Sequence, residues 1–203
     1  YPMKNASVFT GNHYLLSERQ RLALVRATSS RQAAALRRNR EVIGPVPGKE
    51  VHIDGFNIII TLEIALSGST LLKCMDGTIR DLAGLRGTYR IIGKTHEAIR
   101  LLLCRLKELE TERAVFYLDS PVSNSGKLRA LILDTAREEA IDCQVHLVPN
   151  ADAVLKETEH VITSDAIILD HCKSWLNPLP GLLSSSLPGL RFVDLTMQGP
   201  ETG

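Results

Sequence analysis

The sequence predicts an α/β fold: a mainly parallel sheet flanked by helices, with one inserted β-hairpin and an N-terminal helical arm. Three observations carry this reading. Between Glu50 and Leu195, short β-forming runs alternate with segments of helical apolar spacing, the pattern of strands joined by crossover helices. Three of those runs end in an aspartate, at Asp54, Asp119 and Asp165. Asp76-Gly77 sits between two short runs, which is a hairpin-turn signal.

Residues 1–16 carry little signal and read as irregular. Residues 17–40 read as helix. Ser17 can cap it, with Gln20 as a capping-box partner. Leu22, Leu24, Val25, Ala33 and Leu36 give an incomplete apolar face. Thr28-Ser29-Ser30 interrupts that face, so two shorter helices fit as well as one. Gly44-Pro45-Val46-Pro47-Gly48 is a linker. The chain therefore divides into a basic helical arm over 1–48, a compact domain over 49–196 and a disordered tail over 197–203.

Within the compact domain, residues 50–54 are the first strand and 57–66 a helix capped by Asn57. The hairpin follows over 71–82. A helix over 95–110, with Thr95 as its cap, places Ile99, Leu102, Leu103 and Leu106 on one face. Residues 114–118 are a strand, 124–140 a helix and 143–148 a strand. Residues 152–157 form a short helix opened by Asp152. Residues 161–163 are a strand, 166–175 a helix, 176–190 a loop and 191–195 a last strand. Leu182, Leu183 and Leu187 in that loop fit either packing on the body or contact with a second subunit in a homodimer.

Charge is segregated. Residues 1–40 hold eight Lys/Arg against one Glu, which leaves 16 basic and 22 acidic residues in the remainder. Such Arg clustering suits phosphate contacts, though a solvated helix face explains it equally. Aromatic residues are 4% of the chain, which argues against a stacking platform for unpaired bases. The four cysteines, Cys74, Cys104, Cys143 and Cys172, form no C-x-x-C pair, so zinc has little support. They read as free thiols of a reducing, cytoplasmic compartment. No apolar run is long enough for a bilayer span, and no membrane partner is expected.

In a parallel sheet the C-terminal strand ends share one edge. Asp54, Asp119 and Asp165 converge there if their strands are neighbours, and Asp152 follows the strand 143–148 closely enough to join them. Crowded carboxylates repel, and a cation relieves that repulsion. Oxygen donors of this kind suit Mg²⁺ or Mn²⁺. Taken singly, each aspartate also fits a turn or cap role.

HIDGFN, YLDS, PNADAVLKE and VITSDAIIL together resemble the PIN-like superfamily, particularly its NYN branch. Residues 50–195 as a whole resemble an archaeal family of uncharacterised proteins with a basic helical N-terminus. DGTIRDLAGLRGTYR is the most distinctive part of that likeness. The resemblance implies a PIN-like, Rossmannoid fold and a metal-dependent endoribonuclease. It implies Asp54, Asp119, Asp152 and Asp165 as catalytic metal ligands, supported by Asn57 and Ser164. Many such nucleases carry a helical Glu after the first strand, and here Glu63 and Glu97 compete for that role, with Glu97 nearer the usual placement.

The expected chemistry is hydrolysis of an RNA phosphodiester to a 5′-phosphate product. Arg37, Arg38, Arg40, Arg80, Arg86 and Lys127 are the candidate RNA contacts. Two other readings stand beside it. One is a catalytically silent RNA-binding subunit of a processing complex. The other is a metal-dependent phosphatase or nucleotide hydrolase.

Overall fold

The computed structural model describes residues 3–83 and 87–196, and the α/β architecture is present in them. Helix α1 (Met3–His13) precedes α2 (Glu18–Ala27) and α3 (Arg31–Arg40). Strand β1 (Glu50–Asp54) and α4 (Gly55–Leu66) follow, then β2 (Leu71–Lys73) and β3 (Ile79–Arg80). Next come α5 (Thr95–Glu108), β4 (Arg113–Asp119), α6 (Ser125–Glu138) and β5 (Cys143–Val148). The chain continues through α7 (Ala151–Leu155), β6 (Val161–Ile162), α8 (Ala166–Leu169), α9 (Leu179–Ser186) and β7 (Phe192–Asp194). The expected tail over 197–203 and Arg86 lie outside the described residues.

The main sheet is four parallel strands in the order β5-β4-β1-β6. Alternation within each strand sorts residues by face. Val51, Ile53, Ala114, Phe116, Leu118, Val145 and Ile162 form the apolar face, buried with side chains of α4, α5, α6 and α9. A smaller cluster of Leu155, Val161, Ile168, Leu169, Cys172 and Trp175 packs with Tyr117 and Val148. The chain runs outward from β1 to β4 and β5, then crosses back to β6 on the other side of β1. That reversal creates a crevice beyond the carboxyl ends of β1 and β6, where open α/β sheets take ligands.

Entry into α4 is tight. A methyl group on Gly55 would meet Leu118 Cδ2 at 2.5 Å and the Tyr117 carbonyl oxygen at 3.1 Å. Gly55→Ala should therefore cost roughly 1–3 kcal/mol by overpacking. A denaturant midpoint unchanged from wild type would refute this.

Several local expectations need correction. The segment before Ser17 is not irregular throughout: α1 forms over Met3–His13, and Arg21 of α2 donates to the Leu16 and Gly11 carbonyls and to Asn12 near the C-terminal end of α1. For residues 17–40 the two-helix alternative is the one that forms, and Ser17 with Gln20 makes the capping box as expected. The helix expected over 166–175 stops at Leu169, because the chain turns to bury Trp175, whose Nε1 donates to the Arg37 carbonyl. The segment 176–190 is not all loop. It contains α9, whose Pro180 sits in the first turn, where a missing N–H does no harm. Leu182 and Leu183 are buried there with the leucines of α5, and Leu187 packs against the same core, so these leucines face their own body.

The last strand joins a second sheet, β3-β2-β7, instead of the main one. The hairpin itself forms as expected, turning at Gly77 with φ of 85°. The N-terminal helices are docked on the body through Met75 N–H to the Ala27 carbonyl and Val42 N–H to the Trp175 carbonyl. Among the described residues no helix is long and apolar enough to cross a membrane.

Candidate active site

Asp54, Asp119, Asp152 and Asp165 all line one cleft of about 480 Å³ at the carboxyl ends of the strands. The local reason differs for each. Asp54 ends β1 and stands at the N-cap position of α4, yet its side chain makes no capping bond. It is 7% exposed, and its Oδ2 accepts from Thr163 Oγ1 at 2.8 Å. Asp119 ends β4, and its Oδ1 accepts from the Ala151 N–H at 2.8 Å, tying β4 to the start of α7. Asp152 is not the cap of α7: Asn150 takes that place by accepting from the Ala153 N–H. Asp165 does cap a helix, α8, accepting from the Ile167 and Ile168 N–H groups.

The carboxylates act on one another. Burial pushes the Asp54 carboxyl up to about 7, against the Thr163 hydrogen bond and with Asp165, Asp152 and Asp119 adding to the rise. Burial also raises Asp152, with Asp165 and Asp119 contributing and Lys156 opposing. The cleft thus holds more potential negative charge than its walls offset. Among the described residues, however, no three His, Cys, Asp or Glu side chains stand as a ready-made metal centre. The four aspartates share a cleft without being drawn onto a single point.

A polar scaffold fixes the strand ends. Asn57 does not cap α4. It lies in the first turn, and its Oδ1 accepts from both the N–H and Oγ of Ser164, each at 2.9 Å. Thr163 Oγ1 bridges Asp54 and the Asp165 N–H. Arg80 Nε donates to the Ser164 carbonyl at 2.6 Å, so the hairpin braces the Ser164-Asp165 turn from behind.

Three of the expected RNA contacts are engaged elsewhere. Arg37 is 4% exposed and pairs with Asp76 at 2.5 Å and Asp170 at 2.7 Å. Arg80 is 6% exposed and pairs with the same Asp76 at 2.6 Å. Arg40 is half-buried and donates to the Asp170 carbonyl. Arg37 and Arg40 hold the arm to the body, Arg37 through buried Asp76 at the hairpin turn, which it shares with Arg80. Arg38 and Lys127 are exposed.

The helical glutamates also lie outside the cleft lining. Glu97 pairs with Lys94 at 3.7 Å near the surface. Glu63 is buried and accepts from Tyr89 Oη at 2.6 Å and from Thr95 Oγ1. Thr95 is therefore a partner of Glu63, not the side-chain cap of α5.

Residues that the sequence did not assign to the site complete the cleft. Val25 and Arg26 come from α2, Phe56 and Ile60 from α4, and Asp81 and Ala83 from beyond the hairpin.

A family model described as a domain of unknown function (DUF5616) matches residues 44–180. A second, described as a protein of unknown function (DUF434), matches residues 1–40. An uncharacterized protein of Methanocaldococcus jannaschii is 38% identical over 162 residues, which is 79% of this chain and 77% of that protein. No solved structure matches the chain.

Proposed function

The chain belongs to the DUF5616 family, and from the aspartates in that matched segment we propose a metal-dependent endoribonuclease with a PIN-like site. One observation carries the reading: aspartates from four separate segments line the crevice at the topological switch of a parallel sheet. Their mutual repulsion favours a cation, and the all-oxygen donor set fits Mg²⁺ or Mn²⁺.

Asp54, Asp119 and Asp165 would hold the ion directly, with Asp152 direct or through water. When bound, the ion activates water and stabilises charge on a phosphoryl oxygen. The chain's own residues do the remaining work. Thr163 orients Asp54. Asn57 ties the Ser164 turn to α4, and Arg80 braces it, so Asp165 keeps its place beside Asp54. The partner is RNA, and the exposed Arg38 and Lys127 stay as its candidate surface contacts. The same reading places the protein in the cytoplasm, where its four free cysteines stay reduced.

The test is cleavage of a mixed structured RNA with Mn²⁺, alongside calorimetry of Mn²⁺ alone. Asp165→Asn should lower cleavage on the order of a hundredfold or more, the worth of several kcal/mol of charge stabilisation. Wild-type protein that neither binds Mn²⁺ nor cleaves would end the proposal.

A further inference from the structure

The cleft has a second, cationic element that comes from the N-terminal helices. Among its described lining residues the only cations are Arg26 and Arg80. Arg80 is consumed: it donates to the Ser164 carbonyl, the Arg26 carbonyl and Asp76. Arg26 is different. Its side chain is 30% exposed, and among the described residues only its Nη1 is engaged, by the Asp81 carbonyl at 2.7 Å and Asp81 Oδ1 at 3.1 Å. Among the described residues its Nε and Nη2 meet no protein acceptor.

Asp81 is itself held in place. It is buried, and its Oδ2 accepts from Thr61 Oγ1 of α4 at 2.9 Å. The guanidinium is thereby anchored at one nitrogen and left with free donors on the wall of an acidic cleft. A planar donor of this kind matches a phosphate oxygen pair. The aspartates by themselves would repel a polyanion, so a fixed cation on the same cleft supplies what they lack.

We propose that Arg26 contacts a phosphate of the bound strand, so that α2 is a wall of the active cleft and not a steering arm. This deepens the endoribonuclease reading and rests on it for the identity of the strand. It also makes one site of the two segments that separate family models match: the aspartates fall within residues 44–180 and Arg26 within residues 1–40. Truncation of residues 1–40 cannot test the idea, because it would also strip Arg37 from buried Asp76. Point variants can.

The experiment compares full-length wild type, Arg26→Ala and Arg26→Lys. Three quantities are read: melting temperature, Mn²⁺ affinity by calorimetry, and anisotropy of a fluorescent phosphorothioate oligonucleotide, in Mn²⁺ and again in EDTA. Arg26→Ala should keep its melting temperature and Mn²⁺ affinity close to wild type. Its oligonucleotide affinity should fall roughly 10- to 100-fold, the worth of a charge-assisted hydrogen bond, with partial recovery in Arg26→Lys. Equal oligonucleotide affinities of wild type and Arg26→Ala in both buffers would overturn the proposal. So would loss of Mn²⁺ binding together with the fold, since Arg26 would then be structural only. If wild type binds no Mn²⁺, the nuclease reading fails by itself, and the EDTA arm still decides whether Arg26 holds phosphate.

Discussion

Without metal, Asp54→Asn should be more stable than wild type above neutral pH and no different near pH 4. The sign follows from where the proton sits. In the folded protein the Asp54 carboxyl is pushed up to about 7, by burial first and by its three carboxylate neighbours. In the unfolded chain it titrates near the ordinary value of about 4. Between these limits the folded state keeps a proton that the unfolded state has released, so rising pH favours unfolding. Across that window the group costs wild type about 4 kcal/mol, a penalty an amide does not feel. Asn can still accept the Thr163 hydrogen bond. The measurement is urea unfolding of both proteins in EDTA from pH 4 to 8. Mn²⁺ should then reverse the order, stabilising wild type by mass action and leaving Asp54→Asn unmoved. A stability difference that stays flat with pH would show that Asp54 is not the crowded carboxyl described above.

Asp76→Ala should be the most damaging single change outside the cleft, costing roughly 3–5 kcal/mol. The Asp76 side chain is fully buried. Its Oδ2 accepts from Arg37 Nη1 and Arg80 Nη2, and its Oδ1 from the N–H and Oγ1 of Thr78. Burial alone would raise this carboxyl, but Arg80 beside it and the Thr78 bonds outweigh burial and hold it below the usual carboxylate range. The ion pairs thus support folding at neutral pH and fail only as pH drops through that lowered value. Truncation leaves two buried guanidiniums short of their shared anion, which is why the expected loss exceeds that of a surface ion pair. For a chain of this length the melting temperature should fall by roughly 6–20 °C. Because Arg80 also braces Ser164, Mn²⁺ affinity should weaken as well. A variant that melts within about 2 °C of wild type would mean the network is not the clamp between arm and body.

Much of the fold was legible because its signals are local. The alternation from Val51 to Asp54 needs only the residues themselves to mark a half-buried strand, and Asp76-Gly77 marks its turn by φ preference alone. The capping box at Ser17 and Gln20 spans four residues and forms as read. Errors arose where neighbours compete for one role. Asn150 and Asp152 are both good caps, and only the placement of α7 against β1 and β4 let Asn150 win, freeing Asp152 for the cleft. Thr95 could cap α5 but instead pairs with Glu63, which lies 32 residues earlier in the chain.

What the sequence by itself determined is the strand–helix alternation, the hairpin, and the four aspartates at or just beyond strand ends, because strand period and turn chemistry are written within a few residues. What only the tertiary structure decided is the fate of the charges. Arg37, Arg80 and Arg26 look alike in a basic segment or hairpin, yet two are buried against Asp76 and one is half-open on the cleft wall. Whether a guanidinium is a strut or a ligand depends on which distant carboxylate packing brings within reach, and sequence separation carries no record of that.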